Sequence, residues 1–580
     1  MGNIYAADFE TTTFGEDCRV WSWGVANIDT PDQVELGTDI WSFIEWLKKH
    51  PRALVYFLNA RFDFHFILDA IDTMGLRHTL ERQLPPDYYT TLVSDMGVFY
   101  NAHIMFDGSK QSVEIRDSLR LINAPLCDLP GMFGFEDAEA KGVIDYNKYR
   151  PVGYEPTEEE NDYQKSDVRI LAKGIKCALS MGLKKMTAAG CAMADYKARV
   201  GKRFKYWFPV DAESDPLIRR SYFGGAVMTN PKYKGKKVGY GKVFDVNSHF
   251  PAQLRKQLLP YGKPIKFTGQ YMPNKSHPLY VQHIRFECML KDGHVPTLPD
   301  KKGFLRASGS WVTDSDGEQL DYVLTNIDLD MLFKHYDVWN VEYVGGYMFR
   351  AQRGMFDAYI DFWMDVKKRA TKEKNKALRT LAKLMLNSLY GKFGTNPRHG
   401  RKTPRREEDG VMRFKVDEAA EEWADPVYVA LASFVTSYAR SITLTCAQSN
   451  YVRFVYCDTD SLHLLGWDPP IGLEVDPYEL GAWDNEYDFV EAIYLHSKCY
   501  FDRAIDPYGD DGADIYDVKK CAGMTDRQKD HLIFPHFKEG LTLGGKLKPR
   551  PVRGGVVLDE TDFTIKPQKI RKGYEHIERW

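Results

Sequence analysis

The sequence predicts an α/β chain of several domains, and three observations carry that expectation. Its 580 residues make about three to five domains at roughly 100–200 residues each. Hydrophobic residues are 43% and charged residues 27% of the chain, a globular composition that excludes a largely disordered protein. Apolar strand-like runs alternate with amphipathic helical ones through the first 190 residues, the order of an α/β layer. No run approaches the ~18 consecutive apolar residues of a membrane span. Asp8 and Glu10 come too early for a secretory leader. The nine cysteines form no C-x2-C or C-x4-C pair, so the expectation is a soluble intracellular protein with reduced thiols.

The elements follow in order. Asn3–Asp8 reads as a short apolar strand and Val20–Ile28 as its hairpin partner. Ile40–Lys49 is an amphipathic helix closed by His50-Pro51, and Ala53–Leu58 is a second apolar strand leading into a helix that runs to about Gly75. Strands near Val98–Phe106 and Val113–Asp117 precede a helix that starts in the acidic turn Glu158-Glu159-Glu160, where negative charge favours an N-terminus. A first domain is expected to end near residue 190. Gly224-Gly225 and the basic stretch from Lys232 to Lys242 mark the approach to a second. No repeat and no low-complexity tract interrupts the chain.

Acidic residues gather in the first domain. Asp8 and Glu10 stand at i and i+2 of a strand and share a face, with Phe9 turned the other way. Asn59-Ala60-Arg61-Phe62-Asp63 adds a carboxylate just after a strand, and Tyr163 and Asp167 lie four apart on one helical face. Four acids brought together cannot all stay ionised without cations. Hard divalent ions with oxygen ligands, Mg2+ or Mn2+, satisfy them. Two such ions would serve an in-line phosphodiester displacement.

A second set follows far downstream. Lys242–Asp245 is a strand ending in Asp245-Val246-Asn247-Ser248-His249-Phe250-Pro251, and Arg453–Cys457 breaks at Asp458-Thr459-Asp460 before resuming as Ser461–Leu465. Strand, acidic turn, strand predicts a hairpin with two carboxylates at its tip. Between them, one helical stripe holds Arg379, Lys383, Asn387 and Tyr390, and another holds Leu378, Leu381, Met385 and Leu389. Residues 365–383 hold eight Lys and Arg against two Asp and Glu, more cations than an exposed helix needs. Residues 1–190 hold 19 basic against 29 acidic side chains, and the rest 59 against 52. That split suits metal chemistry first and a polyanion afterwards.

Taken together and in order, D-x-E, the Asn59–Asp63 motif and Y-x-x-x-D resemble the DEDD 3′–5′ exonucleases, specifically the proofreading domain of family B DNA polymerases. The Asp245 strand, the Lys383–Gly394 helix and the Asp458-Thr459-Asp460 turn resemble motifs A, B and C of the same family. The implied fold is an RNase H-like exonuclease domain followed by a right-hand polymerase domain with two insertions. The resemblance implies Asp8, Glu10, Asp63 and Asp167 as metal ligands, Tyr163 as the residue orienting the attacking water, and Lys141 as an assisting lysine. It places Thr11, Asn59, Phe62, Phe66, Ser118, Leu119 and Tyr146 on the single-stranded primer end. Leu58 stands where relatives carry a histidine.

In the polymerase half the resemblance implies Asp245, Asp458 and Asp460 as ligands of two Mg2+ (or Mn2+) ions, with Val246 offering its carbonyl. Lys383 meets the triphosphate, Asn387 and Tyr390 the nascent base pair. Lys367 is a second phosphate ligand, about four residues further from Lys383 than in relatives. Phe250 replaces the tyrosine that usually gates the ribose 2′-OH, and its ring fills nearly the same space. Tyr222, Gly224 and Gly225 resemble the Y-x-G-G/A motif that meets template, Lys392 is assigned to DNA, and Lys498 and Tyr500 match the K-x-Y primer motif. Lys520–Asp526 and Lys546–Arg553 resemble the thumb.

The segments about 257–357 and 395–426 match, in sequence order, the two terminal-protein regions of the protein-primed subgroup encoded by small bacteriophages. The expected division is exonuclease 1–190, linker and palm 191–256, first insertion 257–357, fingers 358–394, second insertion 395–426, palm 427–525 and thumb with tail 526–580. The implied protein is a processive, strand-displacing, proofreading DNA polymerase in the cytoplasm of a bacterial host. Its partners are template and primer DNA, dNTPs and a terminal protein, as a monomer or a heterodimer with that protein. The alternatives are a polymerase extending only nucleic-acid primers and a catalytically degenerate DNA-binding scaffold.

Overall fold

The computed structural model describes residues 3–12, 16–81, 83–135, 144–146, 148–300, 311–506 and 514–567. The first sheet has eight strands, and its centre is parallel: Ile4–Thr11 lies beside Leu54–Phe57, which lies beside Val113–Asp117. Val20–Asn27 pairs with Ile4–Thr11 antiparallel. Strand periodicity sets the layers. Tyr5, Ala7 and Phe9 join the core under the helices Ile40–Lys49 and Arg61–Thr73. Ala6 points to the opposite face, into the core that includes Val168 and Leu171 of the helix Glu158–Ser180. Asp8 and Glu10 share the parity of Ala6 and so open toward that long helix.

The second sheet is antiparallel and also has eight strands. Gly241–Val246 lies at its centre between Ser461–Leu465 and Trp483–His496, and Phe454–Asp458 follows Ser461–Leu465 outward. The helix Val429–Ser449, buried along most of its length, packs on this sheet and on the helix Lys376–Phe393. Asp357–Lys372 and Lys376–Phe393 form an antiparallel helical pair. Lys374 at φ +55° turns the chain between them, and the Asn375 side chain caps the second helix by accepting from Leu378 N–H at 2.9 Å.

A four-stranded sheet, ordered Leu259–Thr268, Tyr336–Gln352, Leu279–Leu290, Leu320–Thr325, is inserted between the two halves of the central sheet. Two long hairpins complete the fold: Arg398–Arg406 with Met412–Trp423, and Thr542–Val552 with Gly555–Thr564. Both dock on the helix Arg61–Thr73. Arg406 bonds Asp72 at 2.6 Å and Asp69 at 3.4 Å, Met412 and Phe414 enter the first domain's core, and Gly554 N–H donates to Asp69 at 3.2 Å. Arg553 donates to the Asp409 carbonyl at 2.8 Å, tying the hairpins to each other.

Candidate active sites

The first acidic site lies outside the C-terminal ends of the parallel strands, where α/β sheets place their ligand crevices. Oxygens of Asp8, Glu10 and Asp167 all fall within 4.8 Å of one another, the one such group of three among the described residues. Gln164, one turn before Asp167, donates to Asp8 Oδ2 at 3.3 Å and to its carbonyl at 3.2 Å, fixing strand to helix. Asp63 stands just outside the trio in the first turn of its helix, and burial, then Asp8 and Glu10, push its carboxyl well up. An all-carboxylate donor set crowded this way fits hard divalent cations. Tyr146 and Tyr163 are hydrogen-bonded to each other. Burial raises both phenols, Tyr146 to about 12 with Glu10 adding, and Tyr163 further with Asp167 adding. Tyr163 therefore stays neutral at neutral pH and can orient a water without deprotonating it.

Asp8, Glu10, Asp167, Tyr146 and Tyr163 line a cavity of about 360 Å³, the volume of a small-ligand site, whereas Asp63 is buried behind it. Thr11, Leu58 and Phe62 face it. Phe66 does not: it is buried, packed on Phe62 at 5.8 Å and under Gly555 of the C-terminal hairpin. Ser118 is also buried, Leu119 half-buried, and Asn59 exposed in a left-handed turn at φ +58°. Lys141 lies outside the described residues. Sequence reasoning missed Asp117, whose buried carboxylate accepts from Leu119 N–H at 3.0 Å and from the backbone of Ala60 and Asn59. It also missed Val556 and Leu558, which reach the cavity from the last hairpin.

The second site forms where three strands of the central sheet end. Asp245 pairs with Ser461 on one side and Asp484 on the other, and Val246 N–H donates to the Asp460 carbonyl at 2.8 Å. Thr459 at φ +60° turns the hairpin between Asp458 and Asp460. Burial, then Asp460 and Glu486, push the Asp245 carboxyl up to about 7, against the opposing pull of Lys383. Asp460 is raised by burial and by Asp458. Lys498, itself at φ +57°, bonds both oxygens of Asp458 at 2.7 and 2.9 Å. This second all-oxygen set, too, suits a hard divalent ion.

The helix Lys376–Phe393 lies over this site. Its core face is Leu381, Met385 and Leu389, with Lys383 and Asn387 exposed opposite. Lys367, from the neighbouring helix, donates to Ser248 Oγ at 3.3 Å; burial, then Arg379 and Lys383, lower its ammonium, with Asp245 pulling the other way. Lys367 and Lys383 both lie within electrostatic reach of Asp245. Phe250 stacks on Tyr390 with ring centroids 4.0 Å apart.

Comparison with known proteins identifies the family. Residues 135–472 match the family described as DNA polymerase type B, organellar and viral. The chain belongs to that family, and it is a DNA polymerase. The DNA polymerase of Bacillus phage phi29 is 40% identical over 97% of this chain and 99% of its own. That of Streptococcus phage Cp-1 is 34% identical over 98% and 99%. The structure of phi29 DNA polymerase with primer-template DNA superposes with a TM-score of 0.92 at 39% identity, covering 98% of this chain and all of that one.

In this type B polymerase the glycine motif has a direct steric reason. A Cβ on Gly225 would lie 2.4 Å from Thr459 Oγ1, so only glycine lets the strand pass the acidic turn, whereas Gly224 opens onto free space. Arg440, 2% exposed, donates to the Phe223 and Gly224 carbonyls at 2.9 and 2.8 Å and so fixes that loop. Tyr222 packs against Gly394, two residues after Lys392. Tyr500 packs beside Tyr456, whose hydroxyl accepts from Lys498 N–H at 2.9 Å. Asp484, Glu486 and Arg440 were absent from the sequence-predicted set because nothing local marks them; their strands and helix are ordinary until the sheet pairs. No helix among the described residues is long and apolar enough to cross a membrane.

Proposed function

We propose that this polymerase replicates a linear viral genome from a terminal-protein primer in the cytoplasm of a bacterial host, displacing the non-template strand and proofreading with a 3′–5′ exonuclease. The observation that carries the reading is two acidic sites on two separate sheets of one chain. It is supported by full-length likeness to phage DNA polymerases, one of them solved with primer-template DNA and incoming nucleotides. On this reading the division is exonuclease 1–190, linker and first part of the palm 191–256, insertions 257–357 and 395–426, fingers 358–394, palm 427–525, and thumb with C-terminal tail 526–580.

Asp245, Asp458, Asp460 and the Val246 carbonyl would hold two divalent cations, Mg2+ or Mn2+, in the polymerase site; Asp8, Glu10, Asp63 and Asp167 would do so in the nuclease site. When bound, such cations supply the charge that stabilises an in-line phosphoryl displacement. Lys383, Lys367 and Arg379 neutralise the triphosphate, and the Phe250–Tyr390 stack bounds the sugar pocket. Lys498 and Tyr500 hold the primer end. In the nuclease site Tyr163 orients water, while Thr11, Phe62, Tyr146 and Leu558 confine the frayed strand. For priming, residues 257–357 would dock the terminal protein, whose hydroxyl takes the place of a primer 3′-OH.

The test is extension of a primed circular single strand with Mg2+ and all four dNTPs. Products many times the circle length are expected, abolished by Asp458→Ala and retained by Asp8→Ala, with single-strand degradation showing the reverse. Loss of both activities in either variant would refute separate sites. Failure to label a supplied terminal protein with nucleotide, alongside normal primer extension, would leave a polymerase of nucleic-acid primers only.

A further inference from the structure

Two cysteines meet where the strands beside Lys498 pair. Cys499 opens the strand Cys499–Asp506, Cys521 closes the strand Asp514–Cys521, and they are direct partners in the antiparallel register. Their sulfurs lie 3.5 Å apart. Ala522 N–H donates to the Lys498 carbonyl at 2.9 Å, the bond that flanks a non-hydrogen-bonded pair. Cα atoms in such pairs stand about 4.5 Å apart, inside the ~4.4–6.8 Å range that a disulfide spans. Cys499 is fully buried and Cys521 is 6% exposed, so only a small oxidant reaches them. The contact between the two thiols, with Lys529 and Lys546 nearby, favours a thiolate at Cys521. Cys521, the more exposed of the two and the one beside these lysines, is the first nucleophile.

We infer that Cys499 and Cys521 form a dithiol site that a peroxide converts to a disulfide, and that this bond slows primer extension through Lys498. The Cys521 thiolate attacks a peroxide oxygen, the O–O bond breaks, and hydroxide leaves; Cys521 becomes a sulfenic acid. The Cys499 sulfur then attacks Cys521 Sγ, the S–O bond breaks, and water leaves with the Cys499 proton. Two thiols and one hydrogen peroxide give one disulfide and two waters, the thiols losing two electrons that the peroxide gains. An S–S bond of about 2.05 Å draws the sulfurs together by about 1.5 Å from their present 3.5 Å. Lys498 precedes Cys499 directly, sits at φ +57°, and reaches Asp458 at 2.7 Å, so the contraction bears on its position.

The effect on extension rests on the proposed reading of Lys498 as a primer contact. The full-length polymerase would be treated with hydrogen peroxide, quenched with catalase and mapped without reduction. Extension of a primed strand and degradation of a single-stranded oligonucleotide would be timed in parallel. The expected result is a linked peptide pair joining Cys499 to Cys521, a several-fold loss of extension with degradation unchanged, and recovery in dithiothreitol. Cys499→Ser and Cys521→Ser should each show neither the link nor the loss. Absence of the link, a link without loss of extension, or equal loss in both serine variants would overturn the inference. Lys498→Ala without oxidant separates the two readings: unchanged extension there removes the primer contact, whereas the disulfide is still scored by mapping.

Discussion

Asp245 is the residue whose charge the fold strains most visibly at the polymerase site. Its carboxyl is raised to about 7 by burial, Asp460 and Glu486, above an unfolded value of about 3.9. Its protonated form therefore contributes stability fully below the unfolded value, and that contribution is lost as pH rises through about 7. Without divalent cations, thermal midpoints of the wild type should fall between about pH 5 and pH 8 more steeply than those of Asp245→Asn; parallel curves would contradict this. Phe250 supports a second prediction. Its ring stacks on Tyr390; on the proposed reading that stack bounds the sugar pocket, so Phe250→Tyr should keep ribonucleotide discrimination, while Phe250→Ala should lose about 10–200-fold in the ratio of kcat/KM for dNTP over NTP. An unchanged ratio in the alanine variant would remove Phe250 from sugar selection.

At the scale of elements, the helix Glu158–Ser180 carries Tyr163 and Asp167 of the proposed nuclease site and depends on its first turn. Thr157 and Glu160 form a capping box, and Glu160 also receives Arg150 at 2.8 Å and Tyr154 at 2.6 Å. Burial alone would raise Glu160, but Tyr154, Thr157 N–H, Arg150 and Lys148 hold it at about 2. That depressed value stabilises the helix above the unfolded pKa of about 4.3 and is lost as pH falls toward 2. Glu160→Ala should cost about 1 kcal/mol of local stability, seen as faster hydrogen exchange in this helix and weaker single-strand degradation, with polymerisation kept. The acidic turn was legible in sequence because Glu158-Glu159-Glu160 is local. Its partner Arg150, 3% exposed, was not, because only packing on Trp21 at 4.2 Å brings that guanidinium under the turn.

At the scale of the molecule, two hairpins distant in sequence close on the helix Arg61–Thr73 and on each other. Arg406 and Asp72 are partly exposed, so their pair is worth about 0–1 kcal/mol, and Arg406→Ala should change little. Gly555 is the sensitive point: a Cβ there would lie 2.3 Å from Phe66. Gly555→Ile should lift the last hairpin, shortening rolling-circle products several-fold while leaving short extensions on single strands intact. Equal product lengths would show that hairpin closure does not govern processivity.

The sequence by itself determined the elements and the acids they carry. Ile40–Lys49 and Ser461–Leu465 have the bounds expected from periodicity, and Asp8, Glu10, Asp63, Asp167, Asp245, Asp458 and Asp460 stand on the strands, helices and turn foreseen for them. Those signals are local, written in spacings of two and of three to four residues. Tertiary structure alone decided which distant groups share a field. It set Asp484 and Glu486 beside Asp245, Asp117 beneath Asn59, and Leu558 in a cavity more than 500 residues from Asp8. It also buried Phe66 beneath Gly555, off the cavity lining. Strand register and domain closure fix such neighbours, and neither leaves a periodic trace in one chain.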